Sequence, residues 1–188
     1  MTLNHLRPLG LALILAFFSS VTAAETYKDG VNYTTYKEPI LVGSDPEKIE
    51  VVEMFWAGCP HCYHLEPHVQ SWKKNIPSYV EFVKLPSVLN PSWKLHAKAF
   101  FAAEALLAGD KFHAALFKAM HEQGRRMRRE DAIVRFAEQQ GLDGKKFRAA
   151  MNSKATAEKV SDVARLGKEY GLTGVPSPMV AGKYKVNS

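Results

Sequence analysis

Cys59 and Cys62 are the only cysteines in a chain of 188 residues, and they sit at positions i and i+3, directly after a run of β-branched and aromatic residues from Ile49 to Trp56. No cysteine remains to staple the fold, so the chain must rest on an ordinary hydrophobic core and the pair is free for chemistry. The run predicts a buried strand, ended by Ala57 and Gly58. Pro60 falls where a helix takes its first residue: its φ is already near helical and its missing N–H would have had no partner there. Cys59 is therefore the predicted N-cap. A sulfur at that position faces free backbone N–H groups and the positive end of the helix dipole, which favour thiolate over thiol. A protonated His61 adds to this. Because the thiolate both attacks disulfides and departs from them, Cys59 is the predicted nucleophile and leaving group, and Cys62, one turn inside, the resolving thiol.

The first residues supply an address. Arg7 gives a positive start, Leu9 to Phe18 a short apolar core, and Val21-Thr22-Ala23-Ala24 small residues for cleavage. This pattern is a secretory signal cut after Ala23 or Ala24, since the run is too short to span a bilayer. No later stretch is apolar enough to span. The remainder suffices for one sizeable core or a domain carrying an insertion. The chain carries a net charge of +6 from 25 basic and 19 acidic residues, and the predicted signal removes only Arg7. Part of the excess lies in Arg125-Arg126-Met127-Arg128-Arg129. Such a run reads as a solvated helix end or loop, and its functional alternative is an acidic partner or an anionic membrane surface. An exported chain without a recognisable nucleic-acid motif argues against nucleic acid.

Along the chain, Tyr27 to Tyr36 alternates as an edge strand, and Gly43 to Glu47 forms a turn before the strand that leads to the cysteines. The helix from Cys59 runs to about Lys74, with Pro67 expected to kink it. Val80 to Leu85 is a second strand, closing a β-α-β unit that Pro86 ends. From Ser92 the apolar period becomes helical: Trp93 to Ala108 with its stop at Gly109, then Asp110 to Gln123, Glu130 to Gln140 with Gly141 as C-cap, Asp143 to Met151, and Lys154 to Tyr170 before Gly171. Four or five amphipathic helices exceed a single crossover and predict a helical domain inserted into the β-α-β framework. Gly174-Val175-Pro176 opens a last strand pair through Met179 and Val180, turning at Gly182.

Together, Cys59-Pro60-His61-Cys62 after a buried strand, the helical insertion, Gly174-Val175-Pro176, the Gly182-Lys183-Tyr184 hairpin, and the opening Tyr27-Lys28-Asp29-Gly30 and Tyr33-Thr34-Thr35 resemble the DsbA family of periplasmic thiol:disulfide oxidoreductases. The resemblance covers nearly the whole mature chain. It implies an α/β thioredoxin fold with an inserted helical domain: signal peptide 1–24, thioredoxin-like parts 25–86 and 171–188, and helices over 87–170. It also implies a dithiol oxidase of the periplasm, monomeric and without a cofactor beyond its own disulfide. Its partners would be reduced or unfolded exported proteins and a membrane reoxidant of the DsbB type. Pro176 would be cis and lie against the active-site disulfide, with Val175 and Pro176 binding substrate through an exposed strand edge. Glu53 and Lys84, on strands flanking the Cys59 helix, match a buried acid and base beneath the cysteines. There a carboxylate can exchange a proton with Cys62, although a structural ion pair explains them equally. Glu66 is a further tuner or a surface carboxylate. Pro60 and His61 complete the tuning set.

Three rivals were weighed. Zinc binding by Cys59, His61, Cys62, His64 and His68 is disfavoured because, at helical spacing, cysteines and histidines point in opposite directions. A cysteine peptidase leaves Cys62 without a role. A non-catalytic chaperone would line an apolar groove with Phe55, Trp56, Val175 and Met179. Within the redox class, a thiolate stabilised at a helix start favours a disulfide donor over a reductase, and no dimerisation module points to an isomerase. Two departures from the family are expected to bear on activity. Pro178 lies in a strand that should be interior, where its missing N–H breaks a ladder bond. The family's C-terminal helix is expected to be missing from a chain that stops at Ser188, so that activity suffers if the chain is a fragment.

Overall fold

The computed structural model describes residues 26–43 and 45–187. The expected signal sequence falls outside them. Strand β2 (Ile49–Phe55) runs parallel to β3 (Val80–Pro86), with Val51 opposite Phe82 and Glu53 opposite Lys84. Parallel neighbours need a crossover, and α1 (Pro60–Lys73) supplies it. On the other side of β2 lies β4 (Ser177–Val180), antiparallel, followed by β5 (Tyr184–Val186) and β1 (Tyr33–Thr35), so the sheet order is β1-β5-β4-β2-β3. β2 is thus an interior strand covered on both faces, which explains why it is apolar apart from Glu50 and Glu53. Val52 and Met54 pack with Leu166, Tyr170 and Met179. The alternate residue Phe55 packs with Cys59, Cys62, Phe100 and Phe117.

Between β3 and β4 lie α2 (Pro91–Ala105), α3 (Gly109–His121), α4 (Glu130–Gln139), α5 (Gly144–Met151) and α6 (Lys154–Glu169). Local chemistry starts several of them. The side chains of Asn90, Asp143 and Ser153 accept backbone N–H bonds from Trp93, Lys146 and Thr156, satisfying donors that a helix start leaves free. Phe112, Ile133, Phe136, Phe147 and Met151 make the helices' own core. Phe100, Phe101 and Phe117 extend it to Phe55 and the cysteines, so the helical segment forms one wall of the cysteine site.

Three expectations need correction. The edge strand expected over 27–36 is reduced to β1, because Gly30 turns the chain at φ +76° and Asp29 Oδ1 accepts the N–H groups of Gly30 and Thr35. α2 stops at Ala105 rather than at Gly109: Leu107, 97% exposed, takes the left-handed φ of +56° that ends it, and Gly109 opens α3. Pro178 breaks no ladder bond to β2. Ala181 N–H donates to Glu50 O at 2.7 Å, and hydrogen-bonded pairs alternate in an antiparallel ladder, so the Pro178–Glu53 pair is a non-bonded one. Its nitrogen faces β5 instead, and there the pairing ends at Met179–Lys185, one residue short of the proline.

Candidate functional site

Cys59 caps α1 with an extended backbone, φ −87° and ψ 119°, and Pro60 follows at the first helical position. Its sulfur accepts the Cys62 N–H at 3.4 Å, and its thiol donates to Val175 O at 3.3 Å. The Val175–Pro176 bond is cis. Both cysteines are free thiols. They differ in access: Cys59 is 7% exposed and Cys62 not at all. Burial pushes the Cys62 thiol far above its ordinary value.

Beneath them lies a charged cluster. Glu53, 2% exposed, is 3.7 Å from Lys84 Nζ, an ion pair too long for a hydrogen bond, and neither carboxylate oxygen has a hydrogen-bond partner among the described residues. Burial therefore outweighs the Lys84 charge and holds the Glu53 carboxyl above the usual range, with Glu66 adding to the rise. Lys84 itself bonds to Glu66, reaching across from β3 to α1, and its ammonium lies 4.7 Å from the Phe55 ring centre. Glu66 is a partner of the cluster and not a lone surface carboxylate. His113, whose Nε2 is buried without a hydrogen-bond partner among the described residues, stacks on Phe100 at 3.9 Å. Burial, helped by the Lys84 charge, pushes its imidazole down to about 3.

Two further histidines frame the loop before Cys59. His121 Nε2–H donates to Ala57 O at 2.8 Å, and its ring stacks on Tyr63 at 4.8 Å. Trp56 Nε1–H donates to His96 Nδ1 at 2.9 Å, so His96 is the neutral tautomer whose Nε2–H reaches Met127 O at 2.9 Å. Burial likewise lowers the imidazole's proton affinity. Neither residue was singled out from the sequence. A histidine inside the apolar face of α2, next to Ala97 and Phe100, was the one available signal for His96.

His61, His64 and His68 are exposed while Cys62 points into the core, and among the described residues no group of three or more His, Cys, Asp or Glu side chains is arranged to hold a metal. The groove expected of a chaperone does not form from its four residues, because Phe55 and Met179 are core residues, at 3% and 0% exposure. Trp56 and Val175 remain half-buried beside Cys59.

A profile of the DSBA-like thioredoxin domain family matches residues 50–187. The chain belongs to this family. It is 35% identical over 183 residues to the thiol:disulfide interchange protein DsbA of Pseudomonas aeruginosa PAO1, covering 96% of this chain and 86% of that protein. It is 37% identical over 177 residues to the DsbA of Burkholderia cepacia, covering 94% and 82%. Among solved structures, the crystal structure of Pseudomonas aeruginosa DsbA superposes with a TM-score of 0.80 at 35% identity, over 86% of this chain and 83% of that one. The oxidoreductase DsbA from Xylella fastidiosa does so with 0.82 at 27% identity, over 86% and 88%. The fold is accordingly a DsbA-like thioredoxin fold, and the protein is a DsbA-type thiol:disulfide oxidoreductase. In this DsbA-type frame, the strand order brings Cys59, Cys62 and Pro176 to one end of the sheet, with Glu53, Lys84 and Glu66 directly below.

Proposed function

We propose that the protein donates a Cys59–Cys62 disulfide to reduced polypeptides outside the cytoplasm. A substrate thiolate attacks Cys59 Sγ, the Cys59–Cys62 bond breaks, and the electron pair leaves on Cys62. A buried sulfur holds a proton strongly, so Cys62 takes one, and Glu53 is the donor we assign: burial makes its carboxyl hold a proton more tightly than a free one, and it lies close enough for its ionised form to raise the Cys62 thiol. Lys84 and Glu66 return that proton from solvent. A second substrate thiolate then attacks the substrate sulfur of the mixed disulfide. Cys59 departs as thiolate toward the N–H of Cys62 and the α1 N-terminus. Two electrons have passed from substrate to protein, and the substrate leaves with a disulfide.

Pro60 and His61 tune this step from the helix start, and Val175 and Pro176 offer a strand edge to the substrate backbone. The observation that carries the assignment is the asymmetry of the pair: Cys59 is the N-cap of α1 and keeps 7% of its surface exposed, while Cys62, one turn inside, keeps none. The signal pattern in residues 1–24 supports export to the periplasm. Reoxidation then falls to a membrane partner of the DsbB type, and no cofactor beyond the disulfide is needed. In this reading, 25–86 and 171–188 form the redox domain, 87–170 the insertion that walls it, and the working unit is a monomer. The test is trapping. Cys62→Ser, with Cys59 first converted to a mixed disulfide with thionitrobenzoate, should pass to a reduced single-cysteine polypeptide with release of the thionitrobenzoate anion and accumulate an adduct that maps by mass spectrometry to Cys59, and Cys59→Ser treated in the same way should accumulate none. An adduct-free Cys62→Ser variant would overturn the assignment.

A further inference from the structure

The segment from α3 to α4 carries Arg125-Arg126-Met127-Arg128-Arg129, and its middle residue is held inward. Met127 is 3% exposed with φ +30°, and its carbonyl accepts from His96, which is itself bound by Trp56. The residues on either side, Arg126 and Arg128, are exposed. They line a groove of about 470 Å³ together with Trp56 and with Gly58 and Pro60, the immediate neighbours of Cys59.

The other two arginines of the run also make no ion pair among the described residues, but Arg129 does not line the groove, and Arg125, which does, is held by its neighbours. Arg125 lies 5.0 Å from the Phe136 ring centre and bonds to Gln139 at 2.8 Å. Asp131, whose carboxyl feels Arg129, and Glu130 are both bound by Arg148 at 2.7 Å. Among the described residues Arg126 and Arg128 make no ion pair, and no carboxylate lines the groove. Two unpaired guanidinium groups on one wall repel each other and attract anions, and clefts concentrate such a field.

We propose that this groove reads acidic side chains of the polypeptide being oxidised, so that substrates with Asp or Glu a few residues from the attacking cysteine react preferentially. The inference rests on the disulfide-donor reading. Gly58 and Pro60, the neighbours of Cys59, line this groove, so a chain that is joined to Cys59 and runs beyond the Val175–Pro176 edge toward it brings its next few side chains, at ~3.3 Å per extended residue, to the arginines. A membrane surface fits less well: polybasic lipid-binding segments use about 4–8 cations on an open face, whereas the three arginines of the run that line this groove sit in a concave site beside the nucleophile.

The test compares three dithiol peptides that differ only in the residues flanking the cysteines, Asp, Asn or Lys, as reductants of the oxidised protein. At low ionic strength the Asp peptide should react about tenfold faster than the Asn peptide, and the Lys peptide slower, as charge steering predicts. Salt should compress the series. In R126E/R128E the Asp-to-Lys order should invert, and in R126K/R128K it should persist, which separates charge from a local folding effect. Oxidation of the Asn peptide with no charge preference, or a preference unchanged in R126E/R128E, overturns the acid-reading groove alone. So does arginine-dependent binding to phosphatidylglycerol vesicles without peptide discrimination. No oxidation of any of the three peptides overturns the donor reading and this inference with it.

Discussion

Glu53 and His113 share one polar cluster and respond to pH in opposite senses. Burial raises the Glu53 carboxyl, so above the ordinary carboxylate range the native state holds a proton that the unfolded chain has released. The stability it contributes is present below the unfolded value and is lost as pH rises through the folded one. Glu53→Gln removes that loss. Urea midpoints should show the variant more stable than the parent at pH 8, with the difference shrinking toward pH 4. His113 is depressed to about 3 from an ordinary 6.5, so it favours the folded state above pH 6.5, and that advantage is lost as pH falls toward 3. By pH 4 the loss amounts to about 3 kcal/mol. His113→Phe, which keeps a ring against Phe100, should flatten the acid limb of the stability profile. An acid limb identical to the parent's would show that His113 is not the group responsible. Glu53 and Lys84 were legible as a pair because neighbouring parallel strands in a β-α-β unit bring equivalent positions together. His113, His96 and His121 were not, since their partners lie on other elements and no local spacing announces them.

Helix starts were legible where a side chain does the capping locally. Pro60 after Cys59 behaves as its φ preference requires, and Asp143 and Ser153 accept N–H bonds three residues on. The end of α2 was read wrongly, because the residue in the left-handed conformation is Leu107 and not a glycine. An L-residue there is strained by the approach of its Cβ to the following carbonyl, and Leu107 recovers nothing by packing, being 97% exposed. Leu107→Gly should therefore raise stability by about 0.5–1 kcal/mol, after allowance for glycine's greater unfolded-state entropy. Thermal melts at neutral pH would register this, and a lower melting temperature would contradict the strain. The shortened β1 has the same kind of cause, a side chain competing locally for backbone N–H groups: Asp29 takes those of Gly30 and Thr35.

At the scale of the molecule, the five helices were countable from their periodicity, while their role as a wall of the site was not. That role depends on Phe100 and Phe117 meeting Phe55 and on His121 meeting the carbonyl of Ala57, contacts across long stretches of chain. The wall seals Cys62 completely and leaves Cys59 a small exposed fraction, 7%. A reduced Cys59 sulfur has the Cys62 N–H and the helix dipole to hold its charge, so the reduced protein should melt at a higher temperature than the oxidised one. The reverse order in paired melts would favour a reductase. Whether the disulfide is given away can be read from a single equimolar reaction. Oxidised protein is mixed with a reduced dithiol peptide, quenched in acid at equilibrium, and its thiols counted by mass spectrometry. Disulfide donation recovers the peptide as a disulfide, with Cys59 and Cys62 as thiols. Recovery of the reduced peptide beside a protein that keeps its disulfide would contradict it.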